Sequence, residues 1–178
     1  MALFSKLFGG RGQHATAGAA TARSEKQYAP GTQLAYDDQL IKRFTGHHRT
    51  LFAQFNGIVQ AGEGRRYDEL ALALKQFLDV LEQHILEENL RLYIYLEKCI
   101  NDEDHKQMIR EMKQEMGRIG QSVRLFVRHH LEFGINDQNI GKFRHELKDI
   151  GAALVDRIRR EEDGLYTLYL PPSNYQLL

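Results

Sequence analysis

Between residues 81 and 96 the chain reads LEQHILEENLRLYIYL, and within it His84 and Glu88 stand four residues apart. On a helix that spacing sets both side chains on one face, one turn apart. Leu74, Phe77, Leu81, Ile85, Leu92 and Tyr95 recur at helical spacing along the same stretch, so an imidazole and a carboxylate are predicted to point into an apolar core. Two ionisable groups placed there without partners would be costly, and such groups are normally hydrogen-bonded, ion-paired or bound to metal. A histidine and a glutamate one turn apart form a workable pair of metal ligands. A satisfied structural His–Glu pair would use the same two residues, and this helix alone does not separate the two.

Other residues that could join them lie on similar stripes. Ile41, Phe44, His48, Leu51, Phe52, Phe55 and Ile58 make one continuous stripe that includes a histidine. The adjacent His47 lies about 100° round the helix, at the edge, which favours His48 as the functional one of the pair. Further on, Phe143, Leu147, Ile150, Leu154, Ile158, Leu165 and Leu168 form a stripe with Arg157 and Glu161 at compatible positions. A third stripe, Ile109, Met112, Met116, Ile119, Val123 and Phe126, has Glu115 at its border, and Met116 reads as a core filler. His129 and His130 fall near a helix end, where interaction with the dipole explains them without a ligand role. A weak internal repeat sets HILEENLRLY at 84–93 against RIRREEDGLY at 157–166. It aligns Arg157 with His84, Glu161 with Glu88 and Tyr166 with Tyr93. HHRTLF at 47–52 set against EMGRIG at 115–120 likewise puts Met116 opposite His48.

The elements that must position these side chains are four long helices, predicted at 37–60, 67–99, 103–131 and 138–169. Glycines 62 and 64 are expected to supply the left-handed or extended backbone of the first turn. Asn101 or Asp102 should cap the third helix, GINDQN at 134–139 makes the next turn, and Pro171 and Pro172 stop the fourth. Four helices with short connections argue an all-α, up-down-up-down antiparallel four-helix bundle, whose middle layers suit a metal site. Residues 33–170 are assigned to the bundle and 171–178 to a C-terminal tail. Residues 1–32, rich in glycine, alanine and small polar residues, are expected to be a flexible N-terminal segment dispensable for folding. Its first eight residues, MALFSKLF, could dock on a partner or a membrane surface. They lack the apolar length and cleavage pattern of a secretory signal.

Composition narrows the function classes. The 178 residues are 42% hydrophobic, enough for one domain with a real core. Lysine plus arginine and aspartate plus glutamate number 24 each, so no overall field favours nucleic acid or an anionic membrane. The single cysteine, Cys99, excludes an intrachain disulfide, and no stretch reaches the roughly 20 apolar residues of a membrane span; both fit a reducing cytoplasm. No nucleophile–base–orienter triad, phosphate loop or cysteine cluster is present, so no enzyme activity is expected.

Taken together, HHRTLFAQFNGI at 47–58, HILEENLRLY at 84–93, EM at 115–116 and RIRREEDGLY at 157–166 resemble the hemerythrin-like HHE cation-binding family. The resemblance covers about residues 36–170. It implies a four-helix bundle with His on the first helix, His-x-x-x-Glu on the second, Glu-His on the third and His-x-x-x-Glu on the fourth, holding two irons. Position by position it makes His48, His84, Glu88 and Glu161 metal ligands and matches Glu115 to the third-helix glutamate. Met116 and Arg157 stand where the family has histidines. The resemblance therefore implies an incomplete centre of one iron or none. If Glu88 and Glu161 face each other, their repulsion needs a cation, and Arg157 is expected to replace the second ion by charge; an Arg157 that extends to solvent and pairs with Asp156 or Glu161 is the other reading.

A second resemblance points to another class. FRHELKDIGAALVDRIRREEDGL at 143–165 is similar to the last helix of the regulator-of-sigma-D anti-sigma family, which implies a metal-free protein that acts by binding a protein partner. The sequence thus offers an iron-, oxygen- or redox-responsive regulator with half a site, or a metal-free interaction protein. A third candidate, a di-iron oxidase or peroxidase, would need the two missing histidines.

Overall fold

The computed structural model describes residues 26–177. Helix α1 runs Leu40–Glu63 and α2 Tyr67–Glu87, followed by a π-helical turn Glu88–Tyr93 and α3 Ile94–Cys99. Helices α4 (Glu103–Phe133) and α5 (Ile140–Asp163) complete the bundle, and 3-10 turns at Leu165–Leu168 and Pro172–Leu177 close the described chain. Right-handed helical dihedrals continue through Glu88 and Ile94, so α2, the π turn and α3 are one rod. The four rods form a ring: α1 lies against α2 and α5, and α4 lies against the same two. Short connections between consecutive rods make the arrangement antiparallel, as the hydrophobic periodicity predicts.

The ends of the elements show where local chemistry acts. Asp102 caps α4, its Oδ2 accepting from the His105 amide at 2.8 Å, with Glu103 and Asp104 in the positive first turn. In the α1–α2 turn the left-handed residue is Arg65 (φ 55°), not a glycine. Gly64 keeps an ordinary φ of −77°, and a Cβ there would meet the movable Arg66 guanidinium and come within 3.3 Å of the Gln60 carbonyl. Helix α5 stops at Gly164, short of the expected 169, with the Gly164 amide making a last helical bond to Arg160 O at 3.1 Å. The chain then tightens into a 3-10 turn that still sends Leu165 and Tyr166 inward.

Of the segment expected to be flexible, residues 26–32 fold back on the bundle as part of a small hairpin. The Ala29 amide donates to Leu34 O at 2.9 Å and the Tyr36 amide to Gln27 O at 2.7 Å, and Ala29 is buried. The Tyr36 ring stacks on Tyr169 with centroids 5.1 Å apart. The C-terminal segment is anchored too, because Tyr175 Oη accepts from the Leu170 amide at 3.0 Å. The apolar patch at 1–8 lies outside the described residues. No helix among the described residues is long and apolar enough to cross a membrane.

The core is split along the bundle axis into two apolar clusters. One contains Leu51, Leu74, Phe77, Leu81, Met116, Phe126, Phe143 and Leu154, with their neighbours. The other contains Phe44, Leu92, Tyr93, Tyr95, Met112, Leu165 and Tyr166, with theirs. On α1 the boundary falls between Phe44 and Leu51, on α2 between Leu81 and Leu92, and on α5 between Leu154 and Leu165. His48, His84, Glu88, Arg157 and Glu161 fill it, all buried. On α4 the boundary lies between Met112 and Met116, and that helix supplies no buried polar side chain to the layer.

Candidate metal centre

Each rod except α4 brings an ionisable group to this layer for a local reason. His48 sits one helical turn past Phe44 on the inward stripe of α1, and His84 one turn past Leu81 on that of α2. Glu88 opens the π turn, whose wider winding lets the neighbours Leu92 and Tyr93 both turn inward. Arg157 and Glu161 are one turn apart at the inner face of α5.

Around one point the donors converge. His48 Nε2 lies 3.2 Å from His84 Nε2 and 3.2 Å from Glu161 Oε2. Atoms of these three residues all fall within 4.8 Å of one another. Glu88 stands beside them, its Oε2 3.8 Å from His84 Nε2, while its Oε1 accepts from the Tyr166 hydroxyl at 2.8 Å. The other ring nitrogen of His48, Nδ1, is 2.7 Å from Glu162 Oε1. A carboxylate in that position holds a proton on Nδ1 and aims Nε2 at the shared point, as the outer partners of metal-bound histidines do.

On the far side of Glu161 the layer is filled by a cation of its own. Arg157 Nε donates to Glu161 Oε1 at 2.6 Å and Nη1 to Met112 O at 3.0 Å, and Nη2 donates to the Tyr93 hydroxyl. Glu115 Oε2 is 3.5 Å from Nη1. Glu115 itself is partly exposed and takes a 2.7 Å bond from Arg160, so it backs Arg157 and stays apart from the two histidines. Met116 contributes its side chain to the apolar cluster. His130, expected only to feel the end of its helix, is buried and bonded to Glu146 at 2.8 Å, tying α4 to α5.

The electrostatics follow from burial and these contacts. Desolvation, then the neighbouring His48, lowers the His84 pKa to about 3 and keeps it a neutral imidazole. Burial would also lower His48, but hydrogen bonds to Glu161 and Glu162 outweigh it and hold its pKa above the usual value. Burial, and next the Glu161 charge, push Glu88 well above the carboxylate range. Glu161 stays below that range: burial opposes its charge, but His48 and Arg157 more than offset it. Burial disfavours a charged Arg157 as well, yet Glu161 and the other oxygens around it raise its pKa, so it is permanently cationic.

This donor set fits one metal ion and not two. Nitrogen and oxygen ligands about 2.0–2.2 Å from a tetrahedral ion are roughly 3.3 Å apart, which is the spacing of His48 Nε2 from both His84 Nε2 and Glu161 Oε2. Glu88 Oε2, next to them, is buried without a hydrogen-bond partner among the described residues. Among the described residues the other half has no free imidazole and no open carboxylate oxygen. The guanidinium of Arg157 occupies it. Sequence reasoning missed Glu162 and assigned no role to Tyr93 or Tyr166. The doublet Glu161–Glu162 and the alignment of the two tyrosines in the internal repeat were the available signals.

Among known protein families, the model of the hemerythrin HHE cation-binding domain matches residues 39–169. Neither the curated proteins nor the solved structures yield a match. The resemblance of residues 143–165 to the anti-sigma family has no counterpart in these comparisons.

Proposed function

This chain belongs to the hemerythrin HHE cation-binding family, and we propose that it holds a single iron ion between His48, His84, Glu161 and Glu88. One observation carries this reading. Two imidazole nitrogens and a carboxylate oxygen converge at ligand spacing beside an unpartnered buried carboxylate oxygen, while Arg157 fills the opposite half of the layer. Mixed imidazole and carboxylate donors suit iron among the first-row metals. Arg157 takes over the charge balance that a second ion would provide, donating to Glu161 as a fixed cation.

A centre of this kind suits sensing better than catalysis. No described side chain forms a nucleophile–base pair beside it, and the donors are sealed between two apolar clusters. Two hydrogen-bonded routes lead outward. His48 reaches the partly exposed Glu162, and Glu161 reaches Glu115 and Arg160 through Arg157. We therefore assign the protein a non-enzymatic role as an iron-, oxygen- or redox-responsive regulator in the cytoplasm, its state read by a protein partner.

The test is elemental analysis of protein purified without a histidine tag and reconstituted anaerobically with ferrous iron. About one iron per chain is expected, in line with the mononuclear donor set, and His84→Ala should abolish it without loss of helical circular dichroism. Wild-type protein that retains no iron, or a His84→Ala chain that retains as much as wild type, would overturn the assignment.

A further inference from the structure

One buried oxygen beside the ligands above does more than satisfy a neighbour. Tyr166 lies just beyond the end of α5, where Gly164 breaks the helix and the 3-10 turn swings the phenol back into the layer. Its ring stacks flat on His48, with centroids 5.7 Å apart and planes 10° from parallel. Its hydroxyl donates to Glu88 Oε1 at 2.8 Å and lies 3.2 Å from His48 Nε2. His48 Nε2 therefore has three neighbours at 3.2 Å: the His84 nitrogen, a Glu161 oxygen and the Tyr166 oxygen.

We propose that Tyr166 is an oxygen ligand of the ion, its phenolate joining His48, His84, Glu161 and Glu88 in a mononuclear site selective for ferric iron. The proposal rests on the single-iron reading above and adds a donor of a different chemical type. A phenol serving only to satisfy Glu88 would need to meet Glu88 alone. This one also sits at ligand–ligand distance from the imidazole nitrogen that faces the ion. Tyr93, its counterpart in the internal repeat, gives the contrast, because its hydroxyl accepts from Arg157 and belongs to the half that a guanidinium fills. Phenolate is an established iron ligand in haem proteins, and as a hard anionic oxygen it favours the trivalent ion. On binding, the phenol O–H bond breaks, the oxygen lone pair goes to iron and the proton passes to solvent. No electron is transferred in that step.

The consequence is optical. Donation from phenolate to ferric iron gives a visible charge-transfer absorption, and light within that band enhances phenolate vibrations in the Raman spectrum. Histidine and carboxylate ligands alone give neither. The full chain should be loaded with ferrous iron, oxidised in air, and examined by elemental analysis, visible absorption and resonance Raman. The wild type and Tyr93→Phe should both hold iron and show the band with phenolate modes. Tyr166→Phe, checked for intact helical circular dichroism, should lose band and modes whether or not it keeps iron. Bound iron in the wild type without the band, or a band that survives Tyr166→Phe, would overturn the tyrosine ligand and leave the single-iron reading standing. Absence of iron from the wild type would overturn both.

Discussion

Arg157 is the largest side chain fully enclosed by the fold, and its neighbours show what it replaces. A buried guanidinium is tolerable only with its donors satisfied, and here Glu161, Tyr93 and the Met112 carbonyl take them. Removing it would take away one of the two groups that stabilise the Glu161 charge and leave His48 alone to do so, so Arg157→Met should destabilise the metal-free protein by roughly 3–5 kcal/mol in denaturant titrations. Changing Arg157 and Met116 together to histidine should do something different. Restoring both imidazoles ought to raise the iron content from one towards two per chain, as measured by elemental analysis. A folded double variant that gains no metal would show that Arg157 is not what keeps the second position closed. The burial of His48, His84, Glu88, Arg157 and Glu161 was legible beforehand because each lies on an apolar stripe of period 3.6. Glu162 and Tyr166 were not. Glu162 stands off the stripe and matters only through a nitrogen on another helix, and Tyr166 stands off the stripe that Leu165 and Leu168 continue.

At the scale of elements, all four rods could be read from the pattern of apolar residues, but two windings could not. The π turn at Glu88–Tyr93 leaves no break in composition, and Leu92, Tyr93, Tyr95 and Leu96 fit a broad inward face of an ordinary helix on paper. The end of α5 at Gly164 was likewise hidden, because Leu165 and Leu168 continue the α-helical spacing. Glycines inside helices separate two physical costs. Gly117 on α4 is exposed, with open space where a Cβ would go, so Gly117→Ala should stabilise by about 0.8–1.0 kcal/mol through helix propensity. At Gly151 a Cβ would come within 2.6 Å of the Phe55 ring, which is wedged against Phe77. Gly151→Ala should therefore lose roughly 1–3 kcal/mol to overpacking, partly offset by the same propensity gain. Urea midpoints of the two variants would check the difference in sign.

For the whole molecule, an ion between α1, α2 and α5 would bind the folded state alone, since His48, His84 and Glu161 meet only there. Its removal should lower stability by mass action, by about 2.7 kcal/mol when free iron stood at a hundredfold its dissociation constant. A drop in thermal midpoint on chelation, absent in His84→Ala, would measure it. The two kinds of winding have a consequence at this scale as well. In each half of the internal repeat a tyrosine follows a layer glutamate by five positions, Glu88 to Tyr93 and Glu161 to Tyr166. An α-helix would not bring both residues of such a pair to one side. One rod solves this by under-winding into a π turn, and the other by breaking at Gly164, after which a 3-10 turn carries Tyr166 back inward. The tyrosines then cross over: Tyr93 meets Arg157 of the second half, and Tyr166 meets Glu88 and His48 of the first. Two stretches that look like copies of one unit have thus become cross-braced, so that neither could be excised and still carry a complete layer of its own.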